Sequence, residues 1–212
     1  MSLASVTPFE FDAEKHLFTQ NGARVFSITQ VLAKAGICDF SFVEEELRLY
    51  SMKRGTSVHW LTQLEDEGAL NYRMVPRSLR GYRKAWNTWK KRSLFNPILI
   101  EYKFVSPFGY AGIIDRAGSF PATTMYLSGT SGVVELKTGE VPDWARYQLA
   151  AQAVGIERNI AVARTIRRIA LSLRPDGTYK IREFPLCTWD SDFAKFMHAL
   201  RRVDVERNSS TV

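Results

Sequence analysis

The segment GVVELKT, residues 132–138, constrains the fold more than any other stretch of the chain. Its apolar residues predict a buried strand, yet it carries Glu135 and Lys137 two positions apart. Because side chains alternate between the faces of a strand, these two charges point the same way, whereas Val134 and Leu136 face a core. Either the two charges form an ordinary ion pair at an exposed sheet edge, or they belong to a polar site.

The composition is typical of a globular protein. The 212 residues are 45% hydrophobic and suit one compact α/β domain. No apolar run approaches the roughly 18 residues that a membrane span needs, and the first residues carry no export signal. Cys38 and Cys187 have neither metal-site nor disulfide spacing, so we expect a protein of the reducing cytoplasm. The formal net charge of +7 favours a polyanionic partner, although many soluble proteins are mildly basic.

The order of patterns divides the chain into four parts. Residues 1–26 are predicted to form an N-terminal hairpin extension with a turn at Asn21-Gly22. Residues 27–95 read as helical, and residues 96–205 as strands, a helix, a hairpin and a terminal helix. Residues 206–212 are predicted to be a frayed tail. This order predicts an α/β fold with one central mixed β-sheet flanked by helices.

Two features of the helical part make specific predictions. Gly55 is predicted to interrupt the helix that carries His59. Tyr82, Trp86 and Trp89 recur at helical spacing, which predicts that one face of their helix lies in the core.

A third charge, Asp115, ends the strand pattern GYAGIID twenty positions before Glu135. If the two strands are neighbours, both carboxylates lie at one end of the sheet, where a divalent cation would relieve their repulsion. Mg²⁺ takes such oxygen ligands, and Lys137 beside them could hold a water or stabilise phosphate charge. The three residues are therefore consistent with phosphodiester hydrolysis. Taken singly, each is equally consistent with a strand end or a surface ion pair.

Together these motifs resemble those of the PD-(D/E)XK nuclease superfamily. The resemblance is to its RecB-type and phage exonuclease branch, which includes mitochondrial genome-maintenance exonucleases. That branch shows an RGxxxH-like helix, then GxxD, ExK and QxxxY. Here RGTSVH, GIID, ELK and QLAAQ occur in that order, and the resemblance extends over residues 26–182. It implies a restriction-endonuclease-like fold.

The resemblance implies a role for each matching residue. It makes Asp115, Glu135, Lys137 and Gln148 catalytic. The metal ligands would be His59, Asp115, Glu135 and the carbonyl of Leu136, around one or two ions of Mg²⁺ or Mn²⁺. The residues implied in DNA binding are Lys53, Arg54 and Gln152.

Several of these roles keep an alternative. Gln152 stands where the family has tyrosine, so it either acts in its place or is a plain helix residue. Lys53 and Arg54 either contact a phosphate or form a solvated helix end. Glu101 either supports a second ion or is a solvated strand residue. His16 shows no partner for nucleophilic or zinc chemistry, and we expect it to be structural.

The implied activity is a metal-dependent DNA exonuclease of phage recombination or replication, which would act in the host-cell cytoplasm. Its partners would be DNA ends, single- or double-stranded, and a single-strand annealing or binding protein. The alternatives are an endonuclease of the same superfamily and a DNA-binding module without turnover. The sequence gives no signal for the oligomeric state.

The histidine of the metal set leads to a first prediction. Because an imidazole nitrogen suits Mn²⁺ better than Mg²⁺, we expect Mn²⁺ to support activity at least as well as Mg²⁺. The measurement is the rate of DNA cleavage with each ion in turn. Loss of activity when Mn²⁺ replaces Mg²⁺ would count against coordination by His59.

Overall fold

The computed structural model describes residues 8–38, 44–122, 129–157 and 160–209. In this part of the chain, a five-stranded mixed sheet is flanked by helices, as expected for an α/β protein, and a small antiparallel sheet precedes it. Strands of the large sheet follow one another in chain order, and every neighbouring pair is antiparallel except β6 and β7. The five strands are β4 (Asn96–Val105), β5 (Ala111–Phe120), β6 (Thr130–Lys137), β7 (Arg167–Leu173) and β8 (Tyr179–Phe184).

The small sheet contains the predicted hairpin. Its strands are β1 (Phe9–Asp12), β2 (Leu17–Gln20) and β3 (Ala23–Val25). Asn21 and Gly22 join β2 to β3 with φ of 51° and 74°, the left-handed backbone that a tight hairpin turn needs. The sheet packs through Phe18 and Val25 against Ala111, at the start of β5. Residues 1–7 of the predicted extension lie outside the described residues.

Helices cover both faces of the large sheet. On one face, three helices pack over a mainly aliphatic core. On the other face, two helices pack over a core that is rich in aromatic side chains. Tyr82, Trp86 and Trp89 are buried in the aromatic core, which confirms the predicted stripe. The helices are α1 (Ile28–Lys34), α2 (Glu45–Asp66), α3 (Arg80–Ser93), α4 (Ala145–Ile156), α5 (Ile160–Ala163) and α6 (Trp189–Ser209).

Two element boundaries differ from the sequence predictions. The predicted break at Gly55 is wrong, because α2 continues through it without interruption. A Cβ at Gly55 would lie 4.0 Å from Thr138 Oγ1, so this glycine marks where α2 passes the end of β6. Helix α6 continues to Ser209, so most of the predicted tail is helical; residues 210–212 lie outside the described residues.

A buried ion pair joins α2 to β5. Arg116 and Asp66 have fully buried side chains, and Arg116 Nε donates to Asp66 Oδ2 at 2.6 Å. Arg116 also donates to Thr62 Oγ1 on α2 at 3.0 Å and to Glu101 Oε1 on β4 at 3.0 Å. Trp86 Nε1 donates to Asp66 Oδ1 at 2.9 Å. One guanidinium thus fixes three elements relative to one another.

Removing this guanidinium should destabilise the protein severely. We predict that Arg116→Ala lowers the free energy of unfolding by about 3 kcal/mol, because Asp66 Oδ2, Thr62 and Glu101 lose a shared buried donor and Lys90 is left as the cation that pairs with Asp66. Urea unfolding measures the effect.

The matched control is Arg164→Ala, which breaks an exposed pair with Asp190. It should cost less than about 1 kcal/mol. Equal losses in the two variants would contradict a special role for the buried pair.

Candidate metal centre

The candidate site lies where β5 and β6 separate. The two strands pair from Phe120↔Thr130 to Arg116↔Val134, and there the ladder stops. Beyond it, the side chain of Asp115 takes over, and its Oδ2 accepts the backbone N–H of Leu136 at 2.7 Å. The condition on which the sequence argument depended is met, because the strands of Asp115 and Glu135 are neighbours. The polar residues of both strands therefore lie at the open end of one ladder.

Three side chains from three elements converge there. Ligand atoms of His59 on α2, Glu101 on β4 and Asp115 on β5 all lie within 4.8 Å of one another. His59 Nδ1 is 3.6 Å from Glu101 Oε1 and 3.5 Å from Asp115 Oδ1. Among the described residues, these three could hold a metal ion.

Glu101 reaches this position through an unusual backbone. Its φ is +46°, a left-handed conformation that is rare for a residue with a side chain and rarer still inside a strand. Such strain costs on the order of 1–3 kcal/mol and is found mostly at functional sites. Arg116 holds the carboxylate from behind, and only 22% of the side chain is exposed. Of the two alternatives for Glu101, the geometry favours a metal ligand over a solvated strand residue.

The cluster concentrates negative charge in a buried place. Burial, together with the nearby charge of Glu135, raises the pKa of Asp115 to about 7. Burial opposes the charge on His59, but the carboxylates of Asp115 and Glu101 outweigh it and raise the pKa of His59 to about 9. The proton on His59 therefore offsets part of the negative charge of Asp115 and Glu101. A hard divalent cation fits this donor set of carboxylate oxygens and one imidazole.

Glu135 lies beside this group, and both of its carboxylate oxygens are engaged elsewhere. Oε1 accepts from Lys137 Nζ at 2.7 Å, and Oε2 accepts from Gln152 Nε2 at 2.9 Å. Burial opposes its charge, yet the ammonium of Lys137 holds the pKa of Glu135 below its ordinary value. Likewise, burial would lower the pKa of Lys137, but Glu135 raises it. Lys137 is therefore an ammonium, and Glu135 holds it in place.

The other residues of the predicted set surround this pair. Lys137 Nζ lies 3.5 Å from Gln148 Oε1, so Gln148 points toward the candidate site. The carbonyl oxygen of Leu136, a predicted ligand, is 3.2 Å from His59 Nε2. His59, Glu101, Asp115, Glu135 and Gln148 line one cavity of about 220 Å³.

Gln152 is buried, whereas its predicted contact with DNA would require an exposed side chain. It is only 1% exposed, and its Nε2 also donates to the carbonyl of Ile113 at 3.2 Å. We assign it to holding Glu135 rather than to contact with a DNA backbone. Its Oε1 has no partner among the described residues, although it is buried and the residue lines the cavity. An unpaired acceptor of this kind suits an ordered water or a hydrated ion.

The two predicted phosphate-binding residues, Lys53 and Arg54, have different surroundings on α2. Arg54 lines a groove of about 650 Å³ on the Lys137 side, and its Nε donates to Thr138 Oγ1 at 3.4 Å. Lys53 is exposed on α2 and lines neither this groove nor the cavity. The groove is mainly apolar and is lined by Met52, Pro142 and Trp144 as well as by Arg48.

Sequence reasoning did not find Arg116 and Asp66, which position the site. Arg116 directly follows Asp115 in the strand, so a buried cation inside an apolar segment was a usable signal. Asp66 gave no such signal, because it stands 50 residues from its partner at the end of a charged helix.

Comparison with models of protein families and with curated proteins finds no match to this chain. In the described ranges, no helix is long and apolar enough to cross a membrane.

The metal centre can be tested without any assay of activity. We predict that Mn²⁺ at about one hundred times its Kd raises the Tm of the wild type by about 5–10 °C, because it binds only the folded cluster. Asp115→Asn should abolish this shift, since the amide oxygen can still accept from Leu136 but no longer carries charge. Thermal unfolding with and without the ion measures both.

Asp204→Asn provides the control, because this aspartate is exposed on α6, away from the cavity. Its Mn²⁺-induced shift should equal that of the wild type. A full shift in Asp115→Asn would place the ion elsewhere.

Proposed function

We propose that this protein is a metal-dependent deoxyribonuclease that hydrolyses phosphodiester bonds from DNA ends. The observation that carries the proposal is a single arrangement: a partly buried His59–Glu101–Asp115 cluster beside an ammonium that Glu135 fixes at 2.7 Å. Anionic ligands that need a cation, next to a fixed positive charge, suit a substrate that is itself an anion gaining charge in the reaction.

The residues present fit a divalent cation, and Mg²⁺ or Mn²⁺ is the ion proposed. His59, Glu101 and Asp115 would hold it, with the Leu136 carbonyl at the edge of the group. When bound, such an ion makes water a better nucleophile and stabilises charge on a phosphate. Glu135 would join the ligands only after its ion pair with Lys137 is broken.

Lys137 acts as a donor in this scheme. Burial lowers the pKa of Lys137, but the nearby Glu135 outweighs this and raises it, which favours the protonated form near neutral pH. Its ammonium is suited to orient an attacking water or to stabilise a phosphate oxygen as negative charge develops. Gln148, 3.5 Å away, limits the positions that the ammonium can take.

The groove beside Lys137 supports a polynucleotide substrate rather than a small phosphate ester. It lies next to the candidate site, because Lys137, which donates to Glu135, lines it together with Arg48 and Arg54. Arginine side chains form charge-assisted hydrogen bonds with phosphates. Trp144 and Met52 offer apolar surface on which a sugar or base can pack. Trp144 lies close to the chemistry, with Lys137 Nζ 5.1 Å from the centroid of its ring.

The order of motifs supports the finer assignment. A restriction-endonuclease-like sheet carries its acidic residues on two neighbouring strands, as β5 and β6 do with Asp115 and Glu135. The resemblance to the RecB-type and phage branch suggests an exonuclease of phage recombination or replication. A single-strand annealing or binding protein would then receive the strand that digestion exposes.

The experiment compares end-labelled linear DNA with covalently closed circular DNA, each with Mg²⁺ or Mn²⁺. We predict that wild type degrades only the linear DNA. Asp115→Ala and Lys137→Ala should each reduce the rate by at least about a hundredfold, because the first removes a ligand of the proposed cation and the second removes a positive charge beside the reacting phosphate. Lys195→Ala is the control for loss of a positive charge, because Lys195 is exposed on α6.

Each alternative predicts a different pattern. Cutting of circles would indicate an endonuclease of the same superfamily. Binding of linear DNA without cleavage in either ion would indicate a DNA-binding module, and the proposed activity would be wrong.

A further inference from the structure

One residue of the small N-terminal sheet lines the cavity that holds the candidate metal centre. It is His16, in the turn between β1 and β2, and Glu101, Asp115 and Glu135 line the same cavity. From the sequence, we found no partner for this histidine in nucleophilic or zinc chemistry and expected a structural role. In the fold, it is an exposed side chain at the mouth of the site.

The turn is held in place rather than left loose. Gln30 Nε2 donates to the carbonyl of His16 at 3.4 Å, and the same Gln30 completes the capping box of α1 with Ser27. Ser27 in turn bridges to Ala111 at the start of β5. Gln30 and Ser27 thus connect the turn directly to the strand that carries Asp115.

The imidazole of His16 is exposed and lies at the margin of the small sheet. Its φ is +49°, a left-handed conformation in which asparagine, aspartate and histidine are enriched, so the turn accommodates it. The ring makes T-shaped contacts with Phe11, with centroids 5.5 Å apart, and with Phe18 at 6.4 Å. An exposed imidazole that lines a cavity is available to a molecule bound there.

Beside His16, the cavity is lined by two hydroxyl groups. Those of Ser27 and Thr29 are 3.2 Å apart and bond to each other, so only one of the two can still donate to a phosphate. Ser27 Oγ further accepts the N–H of Gln30. His16 adds a ring N–H to a cavity that Glu101, Asp115 and Glu135 also line. Ionised carboxylates cannot donate to a phosphate, so a strand bound at this cavity needs donors from other residues.

We propose that His16 binds a phosphate of the substrate strand as the strand crosses the mouth of the cavity. This inference rests on the proposed function, since it takes the bound molecule to be a nucleic acid. His16 is a substrate-binding residue in this scheme, and the N-terminal sheet is part of the active site rather than an appended extension.

Three variants of the full chain test the inference. His16→Asn removes the reach of the imidazole and suits the left-handed backbone, so folding should be preserved. His16→Arg restores a long donor to phosphate. His198→Asn is the matched control, because His198 is exposed on α6 and does not line the cavity.

The measurements are the Kd for a fluorescein-labelled DNA oligonucleotide in Ca²⁺, kcat and KM for linear DNA in Mn²⁺, and the Tm. We expect His16→Asn to raise Kd and KM about tenfold, the loss of one hydrogen bond to a charged group, with kcat and Tm unchanged. His16→Arg should return both constants to within about threefold of wild type. His198→Asn should match wild type throughout.

The outcomes separate this inference from the proposed function. If wild type cleaves DNA but His16→Asn leaves Kd and KM unchanged, the inference is wrong and the activity stands. A lowered Tm with equal impairment of Asn and Arg variants would mean a structural role and would also overturn it. If wild type neither binds nor cleaves DNA, both proposals fall.

Discussion

The buried pair of Arg116 and Asp66 is the interaction on which the rest of the site depends. It joins the end of α2 to the middle of β5, at the point where that strand leaves its partner. From β5, the same guanidinium reaches Glu101 on β4. His59 therefore faces Asp115 because α2 is fixed two helical turns further on. Burying charges is costly, and the pair is stable only because hydrogen bonds satisfy both partners.

The site itself divides into two electrostatic halves. In one, Asp115 and Glu101 face His59, and the excess of negative charge is resolved by a proton or a cation. In the other half, Lys137 neutralises the charge of Glu135, and Gln152 on α4 donates to the same carboxylate. In the proposed function, a strand of DNA would meet the cation of one half and the ammonium of the other. The apolar groove beside Lys137 and the exposed His16 would then contact the strand outside these two halves.

The sequence located much of this site because charges inside apolar strands conflict with local structure, and such conflicts mark function. Asp115, Glu135 and Lys137 were found in this way. Glu101 remained ambiguous, since only its left-handed backbone turns the side chain toward the cluster. His16 was assigned a structural role because the sequence shows no partner for it in nucleophilic or zinc chemistry.

The sequence by itself determined the α/β class through the order of its helix and strand patterns. It also determined the aromatic stripe of α3 and the shared strand face of Glu135 and Lys137, because each of these depends on periodicity within one element. The tertiary structure decided which residues from different elements meet. Arg116 and its partner Asp66 are 50 residues apart, and His16 reaches the cavity only because the small sheet packs on β5. Local patterns fix the face on which a side chain lies, whereas packing between elements fixes what that face meets.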